Sequence, residues 1–251
     1  MNKIKKSPIF VLWYQGEKNA PPLVKMCIQS MRRNSNGHKV VVLDRKNLSD
    51  WVDYDPIVKE KFISKKFSIQ LESDYIRLNI LKKHSALWLD STIFVSKPIP
   101  DDVFSVDFFA VIRKEAQKKD ITNKLSPFLL GRNNSERSKK VFSFAFDLME
   151  NYIKNEDDLI NYLLIENILN IAIEKETWLN DLVNEQLFKN KQDILGLVKL
   201  LNNPMSVKVN RFLYKNLFNK LNFHQNYDLL TSDGQETVYS YLLNNKENLN
   251  E

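Results

Sequence analysis

A change of period inside one short stretch constrains this chain more than any other feature. Over residues 71–98, LESDYIRLNILKKHSALWLDSTIFVSKP, apolar positions first recur at helical spacing and then run together. In the helical half, Tyr75, Leu78 and Leu81, with Ile76 and Ile80, form a flank that must be buried, while Asp74 and Arg77, three apart, share another face. The run Ala86-Leu87-Trp88-Leu89 is too short for a helix and suits a strand covered on both sides. Asp90 closes it. Ligands of open α/β sheets gather at the carboxyl ends of strands, so Asp90 is a candidate metal or sugar contact. Position alone also allows a strand-terminating Asp in a turn, and a plain i,i+3 ion pair for Asp74 and Arg77.

The flanking sequence repeats the alternation of strand and helix. Residues 8–14 read as a first strand, Pro21-Pro22 opens a helix to about Asn34, and HKVVVLD at 38–44 is a second buried strand ending in an acid. Two strands joined through a helix imply a parallel pair. A short helix over 55–62 precedes the central stretch, and residues 107–113 and 126–131 read as further strands that complete the sheet. From Ser135 onward the pattern is almost purely helical, including a long helix over 157–176, and the tail from Asn244 is polar and expected to fray. No fixed-period repeat or Gly/Ser linker divides the 251 residues. One domain over 1–251 is expected, with an α/β core over about 1–133 and helical additions over 134–251.

Several chemistries are excluded cheaply. The glycines at 16, 37, 131, 196 and 234 are isolated, so no phosphate loop or dinucleotide fingerprint can be assembled. His38, His84 and His224 are scattered, Cys27 is the lone cysteine, and no zinc spacing or nucleophile elbow occurs. A single cysteine in an amphipathic stretch reads as a buried thiol in a reducing, cytoplasmic setting. The apolar run at 9–14 is too short for a signal peptide core, and no segment reaches the ~18 apolar residues of a membrane span, which leaves peripheral membrane contact. Residues 1–46 hold a surplus of eight positive charges, against −2 for the remainder. That surplus suits a nucleotide pyrophosphate or an acidic membrane surface, and equally a set of solvated faces. No nucleic-acid-binding motif accompanies it.

The string SDYIRLNILKKHSALWLDSTIF resembles the signature of the capsular-polysaccharide-synthesis branch of glycosyltransferases, near glycosyltransferase family 32 and more distantly the large clostridial glucosylating toxins. Ser73-Asp74, Arg77, Ser85-Ala86 and Trp88-Leu89-Asp90 stand where those proteins have a Ser-Asp, an Arg, a Gly-Gly turn and an aromatic-apolar-Asp strand. The resemblance is strong over about residues 8–98 and weaker at 160–164, 215–220 and 239–243. It implies a GT-A-like fold, and transfer, with retention of configuration, of a sugar from a UDP-linked donor to a glycan acceptor of a capsule or another surface polysaccharide. It implies Mn2+ or Mg2+ held by Asp90, which also serves the chemistry, and a donor site of Trp13, Gly16, Asp74, Arg77, Trp88, Asp90 and Thr92. Two departures stand out: Asp90-Ser91-Thr92 lacks the second acid of an Asp-x-Asp motif, a change that fits the capsular branch, where Asp-x-Thr is common, and Ser85-Ala86 replaces Gly-Gly. They motivate the alternative of a non-catalytic GT-A-like protein that binds a glycan or a partner. In related enzymes a C-terminal loop adds a metal contact, for which Asn222, His224 and Asp228 are the candidates here.

Overall fold

The computed structural model describes residues 6–113, 125–189 and 191–244. Lys3, Lys5 and the tail beyond Asn244 lie outside the described residues. The elements run β1 (Ile9–Leu12), α1 (Pro22–Arg33), β2 (Val40–Leu43), α2 (Pro56–Ile63), α3 (Ile69–Lys83), β3 (Ala86–Leu89), β4 (Ile93–Val95) and α4 (Asp102–Ser105). They continue through β5 (Phe109–Arg113), β6 (Leu125–Arg132), α5 (Glu136–Asn155), α6 (Leu164–Lys175), α7 (Thr177–Lys189), β7 (Lys191–Gln192), α8 (Val207–Lys215), β8 (Phe218–Lys220) and α9 (Val238–Asn244).

A mixed α/β sheet forms the centre, in the order β2-β1-β3-β6-β5-β7. The expected parallel pair is present, with Ile9 opposite Val40 and Leu12 opposite Leu43, and β3 lies parallel on the other side of β1 with Phe10 opposite Trp88. β6 then runs antiparallel to β3. Strand parity sorts the side chains into two layers. Phe10, Leu12, Ala86 and Trp88 face α3 and α5, while Ile9, Val11, Leu87 and Leu89 face α1. The outer side of α1, with Leu23, Met26 and the fully buried Cys27, is covered in turn by α8 and α9. Trp88, Tyr75 and Phe10 are fully buried, and each large side chain so placed contributes on the order of 2–3 kcal/mol.

Local chemistry fixes where α3 begins and ends. Ser68 is its N-cap, its hydroxyl accepting from the Leu71 N–H at 3.2 Å. At the other end the buried Arg132 of β6 donates to the carbonyls of Leu81 and Lys82, groups a helix terminus otherwise leaves without partners. Tyr75 Oη donates to Glu150 of α5 at 2.9 Å. The helix is thus clamped to both the sheet and its neighbour.

The second half departs from the pure helical pattern. The helix expected over 157–176 begins at Leu164, because Tyr152 Oη accepts from the Ile160 N–H and donates to the Asp158 carbonyl, holding a turn ahead of it. Two short strands also return to the core. β7 joins the edge of the main sheet, and β8 pairs antiparallel with β4 as a separate two-stranded sheet.

Candidate functional site

Asp90 is the residue after β3, and parity continues from Ala86 and Trp88 to place it on the α3 side of the sheet. Its backbone is held at both ends: Asp90 N–H donates to Phe128 O, and its carbonyl accepts from Ile93 N–H, each at 2.9 Å. One helical step from Asp74, Arg77 comes off α3 with 4% of its side chain exposed. Its guanidinium bridges the two acids, Nη1 to Asp74 Oδ1 at 2.9 Å and Nη2 to Asp90 Oδ1 at 2.8 Å. Trp88 Nε1 donates to the same Asp90 oxygen at 3.0 Å, and Arg77 lies over the Trp88 ring at 5.4 Å. The other carboxylate oxygen, Oδ2, accepts from Lys220 Nζ at 2.8 Å.

These groups open into a cleft of about 320 Å³ lined by Asp74, Arg77, Asp90 and Lys220 together with Phe128, Tyr162 and Glu166. Burial works to raise the Asp90 carboxyl, but the Lys220 ammonium and the Arg77 guanidinium outweigh it and hold it at about 2. Asp74 goes the other way. Burial pushes it up to about 6 against the pull of Arg77, and the Asp90 and Glu166 carboxylates add to the rise. Arg77 Nε, also buried, has no hydrogen-bond partner among the described residues.

A larger cleft, of about 1060 Å³, lies on the far side of the α3 N-terminus and shares Ser68 with the first. Tyr14, Arg45, Lys59, Phe62 and Glu72 are among its walls, and the Arg45 guanidinium sits over the Tyr14 ring at 5.4 Å. Of the described basic residues over 6–46, Arg45 is the one that lines this cleft.

Of the residues singled out from the sequence, Asp74, Arg77 and Asp90 meet in the smaller cleft, and Trp88 supports them from below while fully buried. Trp13 lines neither cleft. It falls on the α1 side of the sheet, half-buried and edge-on to Phe223 at 5.3 Å, so its neighbour Tyr14 takes the cleft wall. Thr92 is 5% exposed, and its carbonyl is engaged by the Leu221 N–H at 2.9 Å. Gly16 also lies outside both linings, yet its backbone needs glycine: φ is 80° and ψ 148°, and a Cβ would stand 3.2 Å from Asp44 Oδ2. Gly16→Ala is therefore expected to destabilise the chain by about 1–3 kcal/mol; an unchanged denaturant midpoint would show that the turn can relax. Ser85 and Ala86 have no positive φ, so the turn before β3 does not call for the Gly-Gly of the resembling families.

The C-terminal candidates Asn222, His224 and Asp228 line neither cleft. The residue that reaches Asp90 is Lys220, the end of the weakly resembling stretch 215–220, to which the sequence reading assigned no role. Tyr162, from the weakly resembling stretch 160–164, joins the lining too, and Glu166 does so only through folding.

The donor set around Asp90 does not suit a divalent cation. Hard cations want several oxygen ligands, but one Asp90 oxygen is taken by a guanidinium and an indole N–H and the other by an ammonium. Thr92 stands at the second-acid position, and among the described residues no three His, Cys, Asp or Glu side chains cluster as a metal site.

Fold and site together define an α/β protein with a polar, charge-bearing cleft at the carboxyl end of a central strand, the place where open α/β sheets gather ligands. The chain belongs to the family of capsular polysaccharide synthesis proteins, whose profile matches residues 1–242. No curated protein sequence matches it. Among solved structures, it is similar to the apo-form glycosyltransferase GlyE of Streptococcus pneumoniae TIGR4, at 14% identity and a TM-score of 0.40, over 68% of this chain and 44% of that one. It is also similar to the PaToxG glycosyltransferase, at 15% identity and a TM-score of 0.43, over 83% and 85% of the two chains. Among the described residues no helix is long and apolar enough to cross a membrane.

Proposed function

We propose that this chain is a cytoplasmic glycosyltransferase that moves a sugar from a UDP-linked donor, with retention of configuration, onto a glycan acceptor of a capsule or other surface polysaccharide. The observation that carries the reading is the convergence of Asp74, Arg77, Asp90 and Lys220 from α3, the end of β3 and β8 on one cleft. Two cations and two carboxylates at a strand end suit a ligand that combines a diphosphate with sugar hydroxyls. The larger cleft, which shares the lining residue Ser68 with the smaller one, offers a ring and a guanidinium, Tyr14 and Arg45, as the surface for the base. An acceptor on a membrane-associated glycan would bring the enzyme to the membrane surface as a peripheral protein.

In the transfer, the bond between the anomeric carbon and the diphosphate oxygen breaks and its electron pair goes to the diphosphate. The acceptor oxygen bonds to that carbon and its proton passes to the departing diphosphate. Arg77 and Lys220 face the charge as it grows, which is electrostatic stabilisation by groups already in place. Asp90 orients both. Mn2+ or Mg2+, implied by the sequence resemblance, has no step in this reading because the Asp90 oxygens are already engaged.

A panel of nucleotide sugars, followed for slow donor hydrolysis and by calorimetry with UDP, tests the reading. Binding and hydrolysis of a UDP-sugar support it. UDP binding without turnover of any donor would favour the non-catalytic alternative, to which the acid-to-Thr92 change and its burial lend weight. Within this reading Trp88→Phe keeps the ring in the core but deletes the N–H at Asp90 Oδ1. Turnover should fall about ten-fold, in line with the ~1.5 kcal/mol carried by a hydrogen bond to a charged group. Wild-type rates in that variant would mean that Arg77 alone orients the acid.

A further inference from the structure

Lys220 reaches Asp90 because a dedicated piece of backbone holds it there. β8 is three residues long, and its pairing with β4 sets Ile93 opposite Lys220, Phe94 opposite Asn219 and Val95 opposite Phe218. Lys220 N–H donates to Ile194 O at 2.7 Å and Leu221 N–H to Thr92 O at 2.9 Å, so hydrogen bonds flank the lysine on both sides. Phe218 and Asn219 are fully buried, which leaves β8 no freedom to slide without exposing them. From this fixed root the side chain passes Phe128, with Nζ 4.8 Å from the ring centre, and ends on Asp90 Oδ2.

The ammonium therefore occupies the oxygen of Asp90 that a bound divalent ion would need. The chain differs at the matching place: the residue two after Asp90 is Thr92, whose buried position offers the cleft no second carboxylate. An ammonium and a divalent ion do the same electrostatic work toward a diphosphate, but the ammonium brings hydrogen-bond donors in place of coordination sites. Of its three donors one is on Asp90, and among the described residues no other hydrogen-bond acceptor of Nζ is present beside the Phe128 ring. The facing charges are Arg77 on α3, Asp74 one turn before it, and Glu166 on α6, all in the same lining.

Resting on the glycosyltransferase reading above, we infer that Lys220 is the built-in cation of this site: it binds the donor diphosphate and stabilises it on departure, so that donor binding and transfer need no divalent metal. As the bond from the anomeric carbon lengthens, the electron pair collects on the diphosphate oxygen, and Lys220 with Arg77 supplies the N–H groups that receive that charge. Removing one such donor from a transition-state site costs about 10²–10³-fold in rate.

The test is calorimetry on the full chain with UDP and with uridine, each in excess EDTA and again with Mn2+, alongside UDP-sugar hydrolysis under the same conditions. In EDTA the wild type should bind UDP at least about ten-fold more tightly than uridine and hydrolyse the donor at the rate seen with Mn2+. Lys220→Met should erase the preference for UDP while leaving uridine binding as it was, and Lys220→Arg should restore part of it. A purely structural lysine would instead lower the melting temperature and weaken both ligands alike, which overturns the inference. So does a wild type that binds and turns over only with Mn2+ or Mg2+, or a metal-independent wild type that Lys220→Met leaves unchanged. Absence of UDP binding under every condition removes the glycosyltransferase reading itself, and this inference with it. The wild-type EDTA arm decides the metal question even if a variant fails to fold.

Discussion

Alanine at position 90 is expected to abolish sugar transfer while leaving a folded chain. The Asp90 carboxylate is the hub of the cleft, receiving Arg77 and Trp88 on one oxygen and Lys220 on the other. Without it the two cations repel each other and lose their aim, although Arg77 keeps Asp74. Loss of orientation at the reacting centre together with loss of a charge partner is worth about 100-fold or more in turnover. The fold should survive, because β3 is secured by its pairing with β1 and β6 and not by the acid that follows it. Asp90→Asn, close in shape, is the companion variant. It keeps an acceptor for Arg77 but turns an amide donor toward Lys220, and should be nearly as inactive. Turnover within a few-fold of wild type in either variant would sink the proposed chemistry. Acid sensitivity gives a second readout. The folded Asp90 carboxyl sits at about 2, below the ~3.9 of an unfolded aspartate, so its contribution to stability is complete above about pH 4 and disappears as pH falls toward 2. The Asn variant should lack that part of the acid limb.

What the sequence disclosed and what it hid follow from the range over which each signal acts. The helix of residues 69–83 and the four-residue strand after it carry their periodicities locally, and the structure forms both with Asp90 at the end. Parity would have chosen between Trp13 and Tyr14. Phe10, Leu12 and Tyr14 lie on one side of the strand line, the same side as Trp88 and Asp90, while Trp13 follows Ile9 and Val11 to the other. The ring that lines the larger cleft was therefore within reach of the strand's two-residue period, whereas the resemblance named Trp13. Lys220 was within reach only as the end of a weakly resembling stretch, with no role attached to it. Three residues carry too little alternation to mark a strand, and its partner lies 130 positions away in the chain. A lysine between Asn219 and Leu221 looks like any other surface lysine until β8 is set against β4. The same holds for Glu166, which sits on a helix whose start depends on a turn held by Tyr152.

Arg77→Met should be the most destabilising single change in the cleft, and the way its cost combines with changes at Asp90 separates a charge pair from simple packing. The arginine is almost fully buried and stands between two carboxylates. Removing it leaves Asp74 facing Asp90 in a poorly solvated place, with Lys220, among the described residues, as the remaining cation in hydrogen-bond contact with either acid. Stranding a buried charge in this way costs about 3–5 kcal/mol, less where the partners are partly exposed, and about 3 kcal/mol is the expectation here. Arg77→Lys should recover little, since a single ammonium cannot bridge two carboxylates with the fork that a guanidinium provides. Combining Arg77→Met with Asp90→Asn removes both charges of one pair, so the double variant should be more stable than the sum of the single losses predicts, by about 1 kcal/mol or more. Chemical denaturation of the four chains measures this directly. Strict additivity would mean that the guanidinium contributes through packing on the Trp88 ring and that the bridge to Asp90 is energetically idle, in which case its place in the cleft would have to be explained by what the ligand needs.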